Sequence, residues 1–348
     1  RQARNAPKFS KNCGKDLFTP LSSISFPPAP HIIATNAIAG SKESEGPLGG
    51  QFDETVSDDL WGEASWEKAE SKFMQQTVLS ALKKSNLHPA DIDYIFAGDL
   101  LNQCASTNYG IRVFSIPFIG LYGACSTMGL SMKMAAMAID GGFADSCVAV
   151  TSSHFCSAER QFRFPLEYGG QRPPSAQWTV TGSACVILDK DRGDLKVECA
   201  TTGKIVDRGI TDANNMGAAM APAAIDCLCA HFADTGRKPS DYDAIFTGDL
   251  GKIGKSIVVD QMGENGYDMS ENYTDCGVLI FDESQDVHSG ASGCACSGLV
   301  LCSHIIPKLQ SGEFKKVLFV PTGALMSTTA VQQGESIPSI AHAISIMS

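Results

Sequence analysis

The sequence predicts an α/β fold built twice over. Pro89-Ala-Asp-Ile-Asp-Tyr-Ile-Phe-Ala-Gly-Asp-Leu100 returns as Pro239-Ser-Asp-Tyr-Asp-Ala-Ile-Phe-Thr-Gly-Asp-Leu250, an offset of 150 residues. The proline, both early aspartates, Ile-Phe and Gly-Asp-Leu all coincide. A second pair follows: Ala124-Cys-Ser126 leads into an apolar segment reaching Gly141-Gly142 and the run Cys147 to Val150. Ala295-Cys-Ser297 does the same toward Gly312 and Val317 to Val320, now offset by 171 residues. Two copies of a strand, loop, helix, strand unit imply duplication. Short apolar strands alternating with helices place the strands between helical layers. Both copies then present a Gly-Asp loop and a cysteine helix to a shared central crevice.

The bulk numbers agree with that architecture. A chain of 348 residues contains two similar-sized units or one large two-lobed fold. With 43% hydrophobic and 19% charged residues it has ample core material. The net charge of −11 argues against a nucleic-acid surface, so an anionic ligand must be met by a local cationic cluster. No uninterrupted apolar run approaches the ~20 residues of a membrane helix. Thirteen scattered cysteines without a secretory signal point to reduced thiols. The pairs Cys227/Cys229 and Cys294/Cys296 are CxC, unlike the CxxC of zinc ribbons, so no metal site and no cofactor is called for.

Taken in order, residues 1–30 read as a loosely ordered arm, with Pro27-Pro-Ala-Pro30 as an extended lead-in. Residues 31–192 form the first half. His31 to Ile38 is a β-type run, and the glycines and proline of residues 40–50 mark a long loop, either a lid or a solvated connector. Ala69, Phe73, Val78, Ala81 and Leu82 recur at helical spacing between Trp66 and Lys84, and Pro89 follows the helix end. The run ending at Gly98-Asp99 and the run Ile116 to Leu121 are strands, the second delivering the chain to Tyr122-Gly-Ala-Cys-Ser-Thr127. The methionines of the following helix, Met128, Met132, Met134 and Met137, are expected in the core. Residues 193–348 repeat the programme as the second half.

The Cys125 turn carries the chemistry. A thiol at a helix start meets unpaired backbone N–H groups and the positive dipole end, which favour a thiolate or seat an anion. The alternative is a small residue buried at a tight turn. Asp99 and Asp249, at strand ends, either cap the next turn or help hold a cation.

Glu45-Gly-Pro-Leu-Gly49, Ala97-Gly-Asp-Leu-Leu-Asn-Gln103, Gly123-Ala-Cys-Ser-Thr127, Ala158-Glu-Arg-Gln-Phe-Arg163, Glu167-Tyr-Gly-Gly-Gln171, Met220-Ala-Pro-Ala223 and Ser292-Gly-Cys-Ala-Cys-Ser297 together resemble the stage V sporulation protein AD family of the thiolase superfamily. The resemblance runs from about Ile32 to the C-terminus. It implies a thiolase-like duplicated fold, five layers α-β-α-β-α with two mixed sheets and a buried central helix pair. It further implies a homodimer that binds dipicolinate. Such a protein acts with the other stage V sporulation protein A subunits in the membrane, in uptake of calcium dipicolinate into the developing spore. The implied location is peripheral, on the spore inner membrane of a spore-forming bacterium.

Condensation in that superfamily needs a nucleophilic cysteine, a group that activates it and oxyanion donors. Cys125 stands at the nucleophile position. Where related ketoacyl synthases place a histidine after a strand, this chain reads Ala244-Ile-Phe-Thr-Gly-Asp249. A carboxylate cannot replace an imidazolium beside a thiolate, because like charges disfavour ionisation. His288 precedes Gly290-Ala-Ser-Gly293, which resembles the thiolase loop after its histidine, but the spacing is a residue short. Cys294 and Cys296 either mimic the second thiolase cysteine or simply pack. The expectation is a pseudo-enzyme in which Cys125 is a pocket residue; the alternative is an active acyltransferase using Cys125.

Dipicolinate is a planar dianion, and its site wants guanidinium or ammonium groups with a flat wall. The segment from His154 to Arg172 supplies Arg160, Arg163 and Arg172 among Phe162, Phe164 and Tyr168. Asn102, beside Asp99, and His154 complete the candidate ligand set of Cys125, Asp99, Asn102, His154, Arg160, Arg163, Arg172, Asp249, Cys294 and Cys296. The competing expectation pairs the arginines with Glu159 and Glu167.

Overall fold

The computed structural model describes residues 21–162 and 171–348. Ten of its strands make the frame. In the first half these are β1 (His31–Ala39), β2 (Tyr94–Gly98), β3 (Phe118–Gly120), β4 (Ser146–Ser153) and β5 (Gly182–Asp189). In the second they are β6 (Leu195–Thr202), β7 (Ala244–Gly248), β8 (Tyr273–Asp275), β9 (Lys316–Ala324) and β10 (Ser339–Met347). The spatial order is β3-β2-β4-β5-β1 in one half and β8-β7-β9-β10-β6 in the other. In the first, β2 is parallel to β3 and β4, while β5 is antiparallel to β4 and β1. In the second, β7 is parallel to β8 and β9, and β10 is antiparallel to β9 and β6. The duplication legible in the sequence is therefore also a duplication of pairing. The two mixed sheets meet at a seam of two residue pairs, His31–Lys196 and Ile32–Leu195.

Helices fill the layers around these sheets. Helix α1 (Trp66–Ser85) covers the outer face of the first sheet. It starts where Ser65 accepts the Lys68 N–H and ends at Asn86, whose φ of 55° supplies the left-handed cap. Its buried face includes Ala69, Phe73, Val78, Ala81 and Leu82, as the spacing predicts. The short helix α2 (Ala105–Ile111) lies against it. Between the sheets run α3 (Thr127–Asp140) and, past α4 (Phe155–Phe162), α5 (Met216–Thr235) and α6 (Gly251–Glu264) in the chain, α7 (Cys294–Val300), which continues through a π turn to Gln310. These are the central helix pair: a Cβ on Gly298 of α7 would lie 3.1 Å from the Met128 methyl of α3. Helices α5 and α6 close the outer face of the second sheet.

Burial follows this layering. Met128 and Met132 are fully buried, each contributing about 1.5–3 kcal/mol. Met137, expected in the core, is instead 39% exposed, because it points to the open edge beside β3. Helix α5 is long and apolar enough to cross a membrane by length and composition, yet most of it is buried against β9 and β10. Of the N-terminal arm, residues 21–30 are held in place. Ser23–Ser25 pairs with β6, the Ser22 and Ser23 N–H groups donate to Asp234 Oδ2, and Phe26 is buried. The 40–50 loop is likewise a packed corner: Ser41–Ser44 is a helical turn, Leu48 is buried, and the Glu43 carboxyl accepts the Thr181 N–H at 2.9 Å.

Candidate functional site: the Cys125 pocket

The Cys125 turn is locked by its own neighbours. Ala124 takes φ 48°, a left-handed conformation that costs a non-glycine residue energy and concentrates at functional sites. The turn then closes on itself. Ser126 N–H and Oγ both donate to Gly123 O, at 3.0 and 2.6 Å, and Thr127 N–H and Oγ1 donate to Ala124 O, at 3.1 and 2.6 Å. The Cys294 thiol adds a third donor to Ala124 O at 3.0 Å. Helix α3 begins at Thr127, one to two residues later than the sequence suggested. The N–H groups of Ser126 and Thr127, expected to face the crevice as an anion seat, are thus engaged within the turn.

Cys125 itself is 7% exposed at the floor of a cavity of about 40 Å³. That is room for a few waters. The walls come from distant segments: Leu100, Tyr122, Ala158, Glu159, Phe162, Thr179, Met216, Ser292, Ala324 and Met326. Among the described residues no lysine, arginine or histidine lines it. Its one ionisable carboxyl, Glu159, accepts the Thr179 hydroxyl at 3.1 Å.

The candidate residues separate into three places. Asp99 lies buried behind Leu100, accepting Leu101 N–H (2.7 Å), Thr107 N–H (2.7 Å) and Thr107 Oγ1 (2.6 Å). It is the capping residue that the Gly-Asp pair predicts. Asp249 is buried at φ 73°, and burial holds its carboxyl well above the usual range, beside Cys296 and the Gly293 N–H. Its expected cap is made instead by Asp275, which accepts from Thr247 Oγ1 and from the N–H groups of Leu250, Gly251 and Gly277. Cys294 and Cys296 are fully buried, and burial pushes both thiols up.

The second place is the surface beside α4. Arg160 pairs with Glu67 of α1, rather than with Glu159, and lies 5.2 Å over Trp66. Asn102 exchanges hydrogen bonds with Gln161 there, at 3.2 and 3.3 Å. The third place is the packed corner. Arg172 lies 4.9 Å over the Trp178 ring, which also stacks on Phe155 at 3.9 Å. His154 is fully buried: its Nδ1 accepts the Cys156 N–H, so Nε2 donates to Asp59 O at 2.8 Å, and burial keeps the ring neutral. His288 sits at φ 57°, 3.6 Å from Asp286, outside the cavity lining. Arg163 lies outside the described residues. No group of three or more metal-ligating side chains is assembled among the described residues.

A family model for stage V sporulation protein AD matches residues 21–347. A stage V sporulation protein AD of Bacillus subtilis (strain 168) is 49% identical over 313 residues, covering 90% of this chain and 93% of that one. The chain belongs to the stage V sporulation protein AD family. Among solved structures, 3-oxoacyl-[acyl-carrier-protein] synthase III from Aquifex aeolicus is similar at TM-score 0.53 and 11% identity, covering 92% of this chain and 100% of that one. A Xanthomonas campestris OleA bound with cerulenin reaches TM-score 0.57 at 14% identity, covering 92% and 97%. These likenesses establish the thiolase-like fold, in agreement with the duplicated sheets.

Proposed function

We propose that this member of the family is a dipicolinate-binding protein of spore formation with a thiolase fold and no condensing activity. It works with the membrane-embedded subunits of the stage V sporulation protein A set in uptake of calcium dipicolinate, from a peripheral position on the spore inner membrane. The observation that carries the reading is the pairing of family membership with a Cys125 cavity that no described histidine lines. A general base must be deprotonated at the working pH. At Asp249, the position read as the lost histidine, burial pushes the carboxyl well above the usual carboxylate range, which disfavours the ionised form a base needs.

Titration calorimetry with dipicolinate, against benzoate, tests the binding; absence of saturable heat ends the proposal. The competing acyltransferase reading is favoured by one feature, the retained Cys125 at the cavity floor. It predicts that intact mass rises after incubation with acyl-CoA thioesters and that Cys125→Ala abolishes the gain.

A homodimer is part of the proposal. Strand β3 is an open edge with unpaired backbone groups, and Phe118, Ile119, Tyr122 and Phe143 around it are 36–77% exposed. Such edges are covered in stable proteins.

A further inference from the structure

We infer that the outer face of α1, with Arg112 just past α2 beside it, is a docking surface for an anionic lipid bilayer. This rests on the peripheral position in the proposed function and names the face that makes the contact. At 3.6 residues per turn, Lys68, Lys72, Gln75, Gln76, Leu79 and Lys83 fall within about 100° of one another, along roughly 22 Å of α1. The buried residues Phe73, Thr77 and Ala81 take the opposite side. The stripe thus holds three lysines and no carboxylate. The two acids of the helix lie off it: Glu67 pairs with Arg160, and Glu70 is buried.

Charge makes this face unlike the rest of the chain. Lys72 faces Glu63 at 3.6 Å, but Lys68, Lys83 and Arg112 have no carboxylate partner among the described residues. Arg112 lines one groove with Lys68 and Lys72, so its charge adds to theirs. An anionic bilayer repels a chain of net charge −11 as a whole. At physiological salt, charges more than about 8 Å away are largely screened, so the face presented decides the sign of the contact. Three uncompensated cations make that sign attractive here.

The apolar side chains on the same face select a bilayer over a nucleic acid. Leu79, 41% exposed, stands between Lys72 and Lys83, and Tyr109, 61% exposed, lies 4.9 Å under Arg112 in the shared groove. A leucine and a tyrosine among lysines suit the headgroup boundary, where apolar atoms enter and ammonium groups stay with the phosphates. A nucleic-acid backbone gives Leu79 nothing apolar to meet. Helix α1 packs over β4, β5 and β1, away from the β3 edge, so a dimer through that edge leaves the stripe free.

The test is cosedimentation of the full chain with vesicles of phosphatidylcholine alone and of phosphatidylcholine mixed with phosphatidylglycerol. The wild type should bind only the mixed vesicles and leave them as salt rises. Lys68→Gln, Lys83→Gln and Arg112→Gln should each weaken binding about fivefold, the worth of one cation at an anionic surface. Leu79→Ser should weaken it about threefold, since only the exposed part of that side chain is left to bury. Lys315→Gln, in the second half of the chain, should change nothing. All five positions are exposed, and unchanged urea midpoints verify the fold. Losses no larger in the stripe variants than in Lys315→Gln overturn the face, as does a wild type that binds no mixed vesicles. Binding of a short DNA duplex as tight as that of the vesicles, with Leu79→Ser unaffected, overturns the bilayer as partner. The peripheral reading has its own readout in membrane fractions of sporulating cells. Wild-type protein absent from them overturns that reading; its presence there despite failure with vesicles leaves the reading standing and overturns the lipid contact.

Discussion

Replacing Asp275 by alanine should cost this fold far more than replacing Asp249 by asparagine, although the sequence repeat singles out Asp249. Asp275 is fully buried and accepts four hydrogen bonds of 2.8–3.2 Å, from Thr247 Oγ1 and the N–H groups of Leu250, Gly251 and Gly277. Truncation orphans the three N–H donors at roughly 1–3 kcal/mol each, about 6 kcal/mol at the middle of that range, while Thr247 Oγ1 keeps the Tyr273 hydroxyl at 2.8 Å. Part of this is offset, because the carboxylate resists burial: its pKa is raised from 3.8 to about 6, or about 3 kcal/mol at neutral pH. The net expectation is a loss of about 3 kcal/mol at pH 7. Burial pushes the Asp249 carboxyl well above the usual range, so asparagine, of the same shape, should cost under about 1 kcal/mol. Urea denaturation at pH 7 reads both. Equal losses, or a larger one for Asp249→Asn, would refute the assignment of the cap to Asp275. The pH sign is also fixed: the folded pKa of Asp275 lies above its unfolded value, so its contribution is complete below about pH 4. It is lost as pH rises through about 6, and Asp275→Ala should lack that slope.

Three further outcomes are expected. Burial lowers the pKa of His342 from 6.5 to about 4, and neither ring nitrogen has a hydrogen-bond partner among the described residues. The neutral form's contribution is therefore complete above pH 6.5 and lost as pH falls toward 4, and thermal unfolding of His342→Leu should show a flatter acid limb. Gly323 of β9 lies against the cysteine turn, where a Cβ would run into Gly123 O. Gly323→Ala should cost at least about 2 kcal/mol by urea denaturation and raise Cys125 alkylation by iodoacetamide; a wild-type midpoint and rate would show that the strand does not brace the turn. If the proposed homodimer pairs through the β3 edge, the wild type sediments as a dimer and Ile119→Asp should shift it to monomer; an unchanged dimer would move the interface elsewhere.

The fold was readable because its determinants are local and repeated. Pro89 to Leu100 and Pro239 to Leu250 each specify a turn, a short apolar strand and a Gly-Asp corner, and both strands formed within a residue or two of the predicted runs. Cys125 was readable for the same reason, its small-residue turn feeding an apolar helix. The cavity walls were not: Met216, the first residue of α5, and Met326, from the loop after β9, line the cavity from segments far from Cys125 in the chain. Asp275 was silent because its four donors lie up to 28 residues away, across a parallel strand pair. Arg160 drew the eye toward Glu159, its chain neighbour. Consecutive helical residues diverge by about 100°, so its partner is Glu67 on another helix.

The two copies of the Gly-Asp corner have diverged in a way that bears on chemistry. In the first, Asp99 caps its own turn through three donors. In the second, Asp275 takes over that task, which frees Asp249 to adopt φ 73° and lodge its carboxyl against Cys296 and Gly293. A freed side chain at this corner is what a catalytic base would need, yet here it is an acid with no exposed surface. Ionising Asp249 would work against its burial and against the neighbouring Asp275. Under the proposed non-condensing role, Cys125 should stay unreactive toward acyl thioesters even though the thiol is retained.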